Sequence, residues 1–205
     1  VAGSIVFYLL EFTNSLAGNT LGEKYLISLF QSVTLRTAGF NTVEIGTLSR
    51  STLLTMIPFM FIGGNPGGTA GGVKISSIAV FLSEARRVSR HERDALLFRR
   101  RIDPNVVSQA LVLIGVAITV IAGALILLTL TETHSTEVLL FEVVSAVGTV
   151  GLSAGATAEL SVPGKMVVMV LMFAGWVGPL TLLTAFSRRV TPQSFRYGRA
   201  NVTIG

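Results

Sequence analysis

Two four-residue segments, Thr37-Ala38-Gly39-Phe40 and Thr149-Val150-Gly151-Leu152, lie 112 residues apart, and the likeness continues at that offset without a gap. Leu48 meets Leu160, Ser49 meets Ser161, Met60 meets Met172, Phe61 meets Phe173 and Gly63 meets Gly175. An internal repeat means one structural unit used twice, and it constrains the architecture before any local pattern does. The shared kernel, Thr-small-Gly-apolar, suits a loop that turns its backbone carbonyls toward a dehydrated ion.

The composition places such a loop in a membrane. Only 13% of the 205 residues are charged, against roughly 25% in a soluble domain, and the mean hydropathy is +0.68. There is no cysteine, which removes disulfides, thiolate metal sites and thiol chemistry. The net charge of +5 would also suit a nucleic-acid binder, so charge placement decides. Seven arginines fall within residues 86–101, and Arg188, Arg189, Arg196 and Arg199 lie in the tail. Each block follows an apolar segment, as positive-inside loops do. Neither has the aromatic interleaving of a nucleic-acid surface, so membrane lipid and not nucleic acid is the expected surrounding.

Residues 104–130 carry no charge and open with Pro104 behind Asp103, a sound helix start. At ~1.5 Å per residue this helix crosses a bilayer with tilt. Residues 163–186 are expected to form a second span with one charge, Lys165. Between the spans, residues 137–147 read as a half-length helix and residues 148–155 as a glycine loop: a re-entrant pore helix and filter. Irregular backbone at that depth is tolerated only where protein or water lines it. The first copy repeats the order, with residues 24–35 as pore helix and 36–41 as filter. Residues 1–12 read as the end of its opening span, so an upstream remainder of that helix is expected.

The first copy's closing span is interrupted. Gly63, Gly64, Asn65, Pro66, Gly67, Gly68, Thr69, Ala70, Gly71 and Gly72 follow an apolar stretch of only 12 residues, 51–62. Helix through these ten would cost about 9 kcal/mol in glycine and proline propensity. Twelve residues reach about 18 Å, short of ~30 Å of hydrocarbon, so the loop starts inside the membrane. It is placed to act as a gate beneath the filter. A phosphate-binding loop is rejected, because Val73 stands where that motif needs lysine.

Several charged residues need an account. Arg36 directly precedes the first filter, and Glu142 on the other pore helix is its expected partner; the alternative is that it reaches water. Lys74 either reaches cytoplasmic water or faces the pore and repels cations. His91 and His134 are expected to be solvated, and Glu11 and Glu44 to be mouth or surface charges. No Ser/His/Asp, metal-ligand or paired-carboxylate arrangement stands at useful spacing, so an enzyme and a bound cofactor are not expected.

At FQSVTLRTAGFNTVEIGTLS, MFIGGNPGGTAGGVK, FEVVSAVGTVGLSAGAT and PGKMVVMVLMFAGWVGPLTLL, the chain resembles the Trk/Ktr/HKT superfamily of K⁺ transport proteins, nearest to KtrB/TrkH-type membrane subunits. The resemblance implies four span–pore helix–span repeats around one pore, with this chain as the last two. Residues 1–101 would be the third repeat and residues 102–205 the fourth. Thr37, Ala38, Gly39, Phe40, Thr149, Val150, Gly151 and Leu152 would be two of four K⁺-binding filter strands, and residues 63–72 the gating loop. It also implies a missing N-terminal half, a homodimer and a cytoplasmic nucleotide-sensing ring facing residues 86–101 and the tail. Two departures stand out. Trp176 replaces an arginine common in the family's G-R-V-G-P stretch, and would plug the pore or stack on a cation such as Lys74. Asn65 and Gly68 stand where serines are common.

The expectation is an all-α, multi-pass plasma-membrane protein of tandem span–pore helix–filter–span repeats, which passes K⁺, with Na⁺ as the second candidate ion, through a gated filter. The competing reading is a secondary transporter of another cation or a small solute, with its site in the broken helix.

Overall fold

A computed structural model describes residues 2–65, 71–92, 94–98 and 100–178. The first copy runs α1 (Ala2–Glu11), α2 (Leu21–Thr34), a 3-10 turn (Ile45–Thr47) and α3 (Arg50–Phe61). The second runs α5 (Pro104–Thr131), α6 (Thr136–Gly148), the single turn α7 (Ala156–Glu159) and α8 (Val162–Val177). Between them lie α4 (Ile75–Ser89) and a two-stranded hairpin, β1 (Leu96–Leu97) with β2 (Arg100–Arg101). Each copy is thus an opening helix, a short pore helix, a loop and a closing helix, as the repeat predicts.

Local chemistry sets the helix starts. Thr20 and Glu23 form a reciprocal capping box on α2. Ser49 caps α3, and its repeat mate Ser161 caps α8. Asp103 caps α5 with Pro104 in the first turn. At 28 residues, α5 is long and apolar enough to cross a membrane. Arg86 and Arg87 sit in the last turn of α4, where the helix dipole favours cations. The basic segment therefore begins on a helix and passes through the hairpin, which the sequence does not announce.

The closing helix of the second copy differs from expectation. An unbroken span over residues 163–186 is predicted, but α8 stops at Val177, and Gly178 takes φ 87°. Pro179 follows in sequence, and a residue before proline is disfavoured in helix. Residues 179–186 lie outside the described residues, as do the tail arginines.

Packing makes α6 the centre of the molecule. It is flanked by α3, α5 and α8, and nine of its 13 residues are buried, as a helix apolar on all sides requires. The largest core cluster joins Phe7, Leu16, Leu53, Met56 and Met60 of the first copy to Phe141, Val144, Val150 and Leu152 of the second. The two copies therefore share one core. By contrast α2 buries a polar stripe, Lys24, Ser28, Gln31 and Thr34, and exposes Leu21, Tyr25, Leu26 and Val33. A helix that turns its apolar side outward is built for lipid or for further protein.

Candidate ion-conduction site

The two loops expected to form a filter start where the short helices α2 and α6 end, and both have the same unusual backbone. Thr37 takes φ 65° and Gly39 φ 74°; Thr149 takes φ 53° and Gly151 φ 86°. Left-handed φ is uncommon outside glycine, and more so for a β-branched residue. Such strain marks positions that the surrounding structure holds for a purpose. Thr37 and Thr149 are two of the four non-glycine residues with positive φ among the described residues.

The structure also brings the two loops together. A Cβ built on Gly39 would lie 2.8 Å from the Val150 carbonyl oxygen and 3.4 Å from the Gly151 Cα. Glycine is favoured at both positions by φ, and at Gly39 by this approach as well. Segments 112 residues apart in sequence thus face one another.

A hydroxyl from each pore helix fixes the outer end of its loop. Thr34 Oγ1 donates to the Phe40 carbonyl, and Ser145 Oγ donates to the Leu152 carbonyl at 2.6 Å. The fourth carbonyl of each filter segment is therefore bonded to protein, and the carbonyls of Thr37, Ala38, Gly39 and of Thr149, Val150, Gly151 carry the ion-binding expectation. Thr34 and Ser145 escaped the sequence reading because they stand six and seven residues before their acceptors. The fixed offset does not align them.

The glycine-rich segment closes at its neck. Gly63 N donates to the Val73 carbonyl at 2.8 Å, Val73 N to the Phe61 carbonyl at 3.2 Å, and Ile75 N to the Gly64 carbonyl at 3.2 Å. Each end of the segment is tied to a different filter loop. Arg36 Nη1 donates to the Gly63 carbonyl at 3.2 Å, and Gly71 N donates to Thr149 Oγ1 at 3.0 Å. Gly71 lies so close that a Cβ there would fall 2.3 Å from that hydroxyl. Pro66, Gly67, Gly68, Thr69 and Ala70 lie outside the described residues. Lys74 is half-buried at the start of α4. Trp176, 75% exposed, is on α8. It lines a cavity of about 400 Å³ with Thr149, Gly151, Leu152 and Glu142.

The expected Arg36–Glu142 pair does not form. Arg36 is spent on the gate segment, while Glu142 turns to the residues that leave the second filter. Its Oε1 accepts from Ser153 Oγ at 2.6 Å and from Ala154 N at 2.9 Å, and its Oε2 accepts from Thr157 Oγ1. These donors lie on the chain that wraps over the end of its own helix, nearer than an arginine of the other copy. Two other expectations are corrected. Glu11 is fully buried, and its Oε1 accepts from Ser49 N at 3.0 Å and from Thr52 Oγ1. His134 Nε2 lies 3.0 Å from Glu159 Oε2.

The Glu11 contact has a counterpart in the second copy. Glu132, just after α5, accepts from Ser161 N at 3.1 Å and from the Ser161 hydroxyl. In both copies an acid at the end of the opening helix caps the start of the closing helix. The signal was available in Ser49 and Ser161, each preceded by such an acid, but the differing loop lengths hide it. The Ser161 hydroxyl, then the Ser161 backbone N–H, hold the Glu132 carboxyl below its usual range.

Residues 1–197 match the TrkH family, described as cation transport protein. The chain belongs to this family. It is 38% identical over 203 residues to the Ktr system potassium uptake protein D of Bacillus subtilis, covering 99% of this chain and 45% of that protein. It is 38% identical over 207 residues to the Ktr system potassium uptake protein B of Vibrio alginolyticus, covering 100% and 45%. The Potassium/sodium uptake protein NtpJ of Enterococcus hirae is 32% identical over 212 residues, covering 100% and 47%. The chain thus spans just under half the length of these relatives. Its fold matches the crystal structure of the potassium transporter TrkH from Vibrio parahaemolyticus with a TM-score of 0.75, at 24% identity over 91% of this chain and 42% of that one. The family is one of membrane cation-transport proteins and not of enzymes, and the chain has the helical pore-repeat fold that the internal repeat predicts.

Proposed function

We propose that this chain supplies two filter strands and the gate of a plasma-membrane pore for K⁺ uptake. One observation carries the reading: both loops pair a left-handed threonine with a left-handed glycine, and the glycines meet. Threonine and glycine at positive φ two residues apart turn successive carbonyls toward a common side, and such a set replaces the water around a dehydrated K⁺. The names of the Ktr relatives support K⁺ as the cargo, and the Enterococcus relative's name brings in Na⁺ as well.

Residues 63–72 form the gate in this reading. Their neck is closed by backbone hydrogen bonds, and their two ends are anchored to Arg36 and Thr149. Lys74 at the foot of the loop and Trp176 in the cavity beside Thr149 and Gly151 would add a charge barrier and a steric one. The other two filter strands come from the rest of the subunit, consistent with a chain half the length of its relatives. Residues 86–101 and the tail face the cytoplasm by the positive-inside rule. There they meet a nucleotide-sensing ring, and two such subunits pair in the membrane.

The test is K⁺ rescue. The full-length gene product is expressed in a bacterium that lacks its own K⁺ uptake systems, and growth at low K⁺ is followed. The wild type is expected to rescue and Gly151→Asp to fail. Deletion of Asn65, Pro66, Gly67 and Gly68 is expected to give unregulated uptake. Wild-type growth by Gly151→Asp would remove the second loop from the ion path and favour a broken-helix transporter.

A further inference from the structure

Glu142 is 3% exposed on the central helix α6. No ion pair between Glu142 and a basic side chain forms among the described residues. Its three hydrogen-bond donors are neutral: Ser153 Oγ, Ala154 N and Thr157 Oγ1. They satisfy the carboxylate oxygens but leave its charge uncancelled. Buried charges at membrane depth are expensive and are retained for a reason.

The position of that charge supplies the reason. Ser153 directly follows the last filter residue, Leu152, so the carboxylate is bonded to the chain leaving the second filter loop. It shares the wall of the same cavity with Thr149, Gly151 and Leu152. At the 112-residue offset the first copy has Phe30, which is apolar and 40% exposed. The two filter loops are therefore electrostatically unequal: the second has a negative charge behind it and the first has an aromatic ring. A charge acts on a cation the more strongly the nearer it lies and the less water stands between them.

We propose that Glu142 is a positioning residue whose uncancelled negative charge raises cation affinity at the second filter loop. It touches no ion. It acts through the field it sets up across Thr149, Val150 and Gly151, and through the hydrogen bonds that hold the loop's exit. This inference rests on the filter reading of that loop.

The experiment measures ⁸⁶Rb⁺ uptake against concentration by the full-length transporter in cells lacking other K⁺ uptake, with membrane protein quantified. Glu142→Gln keeps the bonding pattern, because its carbonyl can face Ala154 N and Ser153 while the Thr157 hydroxyl rotates to accept. The expected result is a KM raised about tenfold with Vmax close to wild type. Glu142→Asp retains the charge and is expected to keep a near-wild-type KM even where Vmax falls. Thr157→Lys, at an exposed position, sets an ammonium beside the carboxylate and is expected to raise KM as Glu142→Gln does. It decides the matter should Glu142→Gln fail to reach the membrane. A wild-type KM in both Glu142→Gln and Thr157→Lys would overturn the inference. Gly151→Asp separates the two levels. If it abolishes uptake while the Glu142 variants are normal, only this inference falls; if it transports normally, the filter reading falls with it.

Discussion

Thr149 does two things at once. Its backbone takes left-handed φ at the start of the proposed second filter loop, and its side chain accepts a hydrogen bond from Gly71 at the end of the proposed gate segment. A hydroxyl can do this while its own proton stays free; an apolar side chain of the same shape cannot. Thr149→Val is therefore expected to leave the Gly71 N–H unpaired, at a cost of about 1–3 kcal/mol, and to raise basal uptake by loosening the gate. Thr149→Ser, which keeps the acceptor, is expected to behave as wild type, and Rb⁺ flux without stimulation reads the difference. Glu132 lends itself to a pH experiment. Its carboxyl is held below the ordinary range by Ser161, so its contribution to stability is present above the unfolded carboxylate value. That contribution is lost as pH falls through the lower folded value. The melting temperature of the purified full-length protein should hold near neutral pH and drop in acid. Glu132→Gln should start lower at neutral pH and show a smaller acid-dependent fall.

Each short helix carries, in its last turn, a hydroxyl that holds the fourth carbonyl of its proposed filter segment, from Thr34 in α2 and from Ser145 in α6. Without that bond the end of the loop is free to move, and carbonyls on a loop that can move fit ions of more than one size. Ser145→Ala is thus expected to reduce discrimination of K⁺ over Na⁺ while transport itself continues, as measured by competition of Na⁺ with Rb⁺ uptake. The closing helices show what a short helix needs. At 12 and 16 residues, α3 and α8 reach about 18 and 24 Å, and both begin at a serine that also meets a carboxylate from the preceding helix. The start of α5 at Pro104 was legible in the sequence, because a cap acts on neighbours within one turn, whereas the capping by Ser49 and Ser161 came from the structure. The stop of α8 at Gly178 was not foreseen, because a long apolar run outweighs one Gly-Pro pair in any count of hydropathy.

At the level of the whole molecule, α6 and the second filter loop are embedded in a core that both repeats build. Phe141 is fully buried there among residues of α1, α3 and the filter. Phe141→Ala is expected to cost about 3–5 kcal/mol and to expose both repeats to protease together, which limited proteolysis with fragment mapping would read. Large apolar side chains on the outside, among them Leu9, Leu130, Phe173 and Trp176, match a chain surrounded by lipid and by the rest of a larger subunit. The sequence by itself determined the repeat, the helix types, the break after α3 and the place of both repeated loops. Those features rest on hydrophobic runs, on glycine and proline, and on short-range caps, which act between neighbours in the chain. The tertiary structure alone decided which charged and polar groups meet. Arg36 found Gly63, Glu11 found Ser49, Gly71 found Thr149, and Glu142 met no cation among the described residues. Polar side chains have more possible partners than they can bond, and only the packing of helices around α6 sets which of them come within reach.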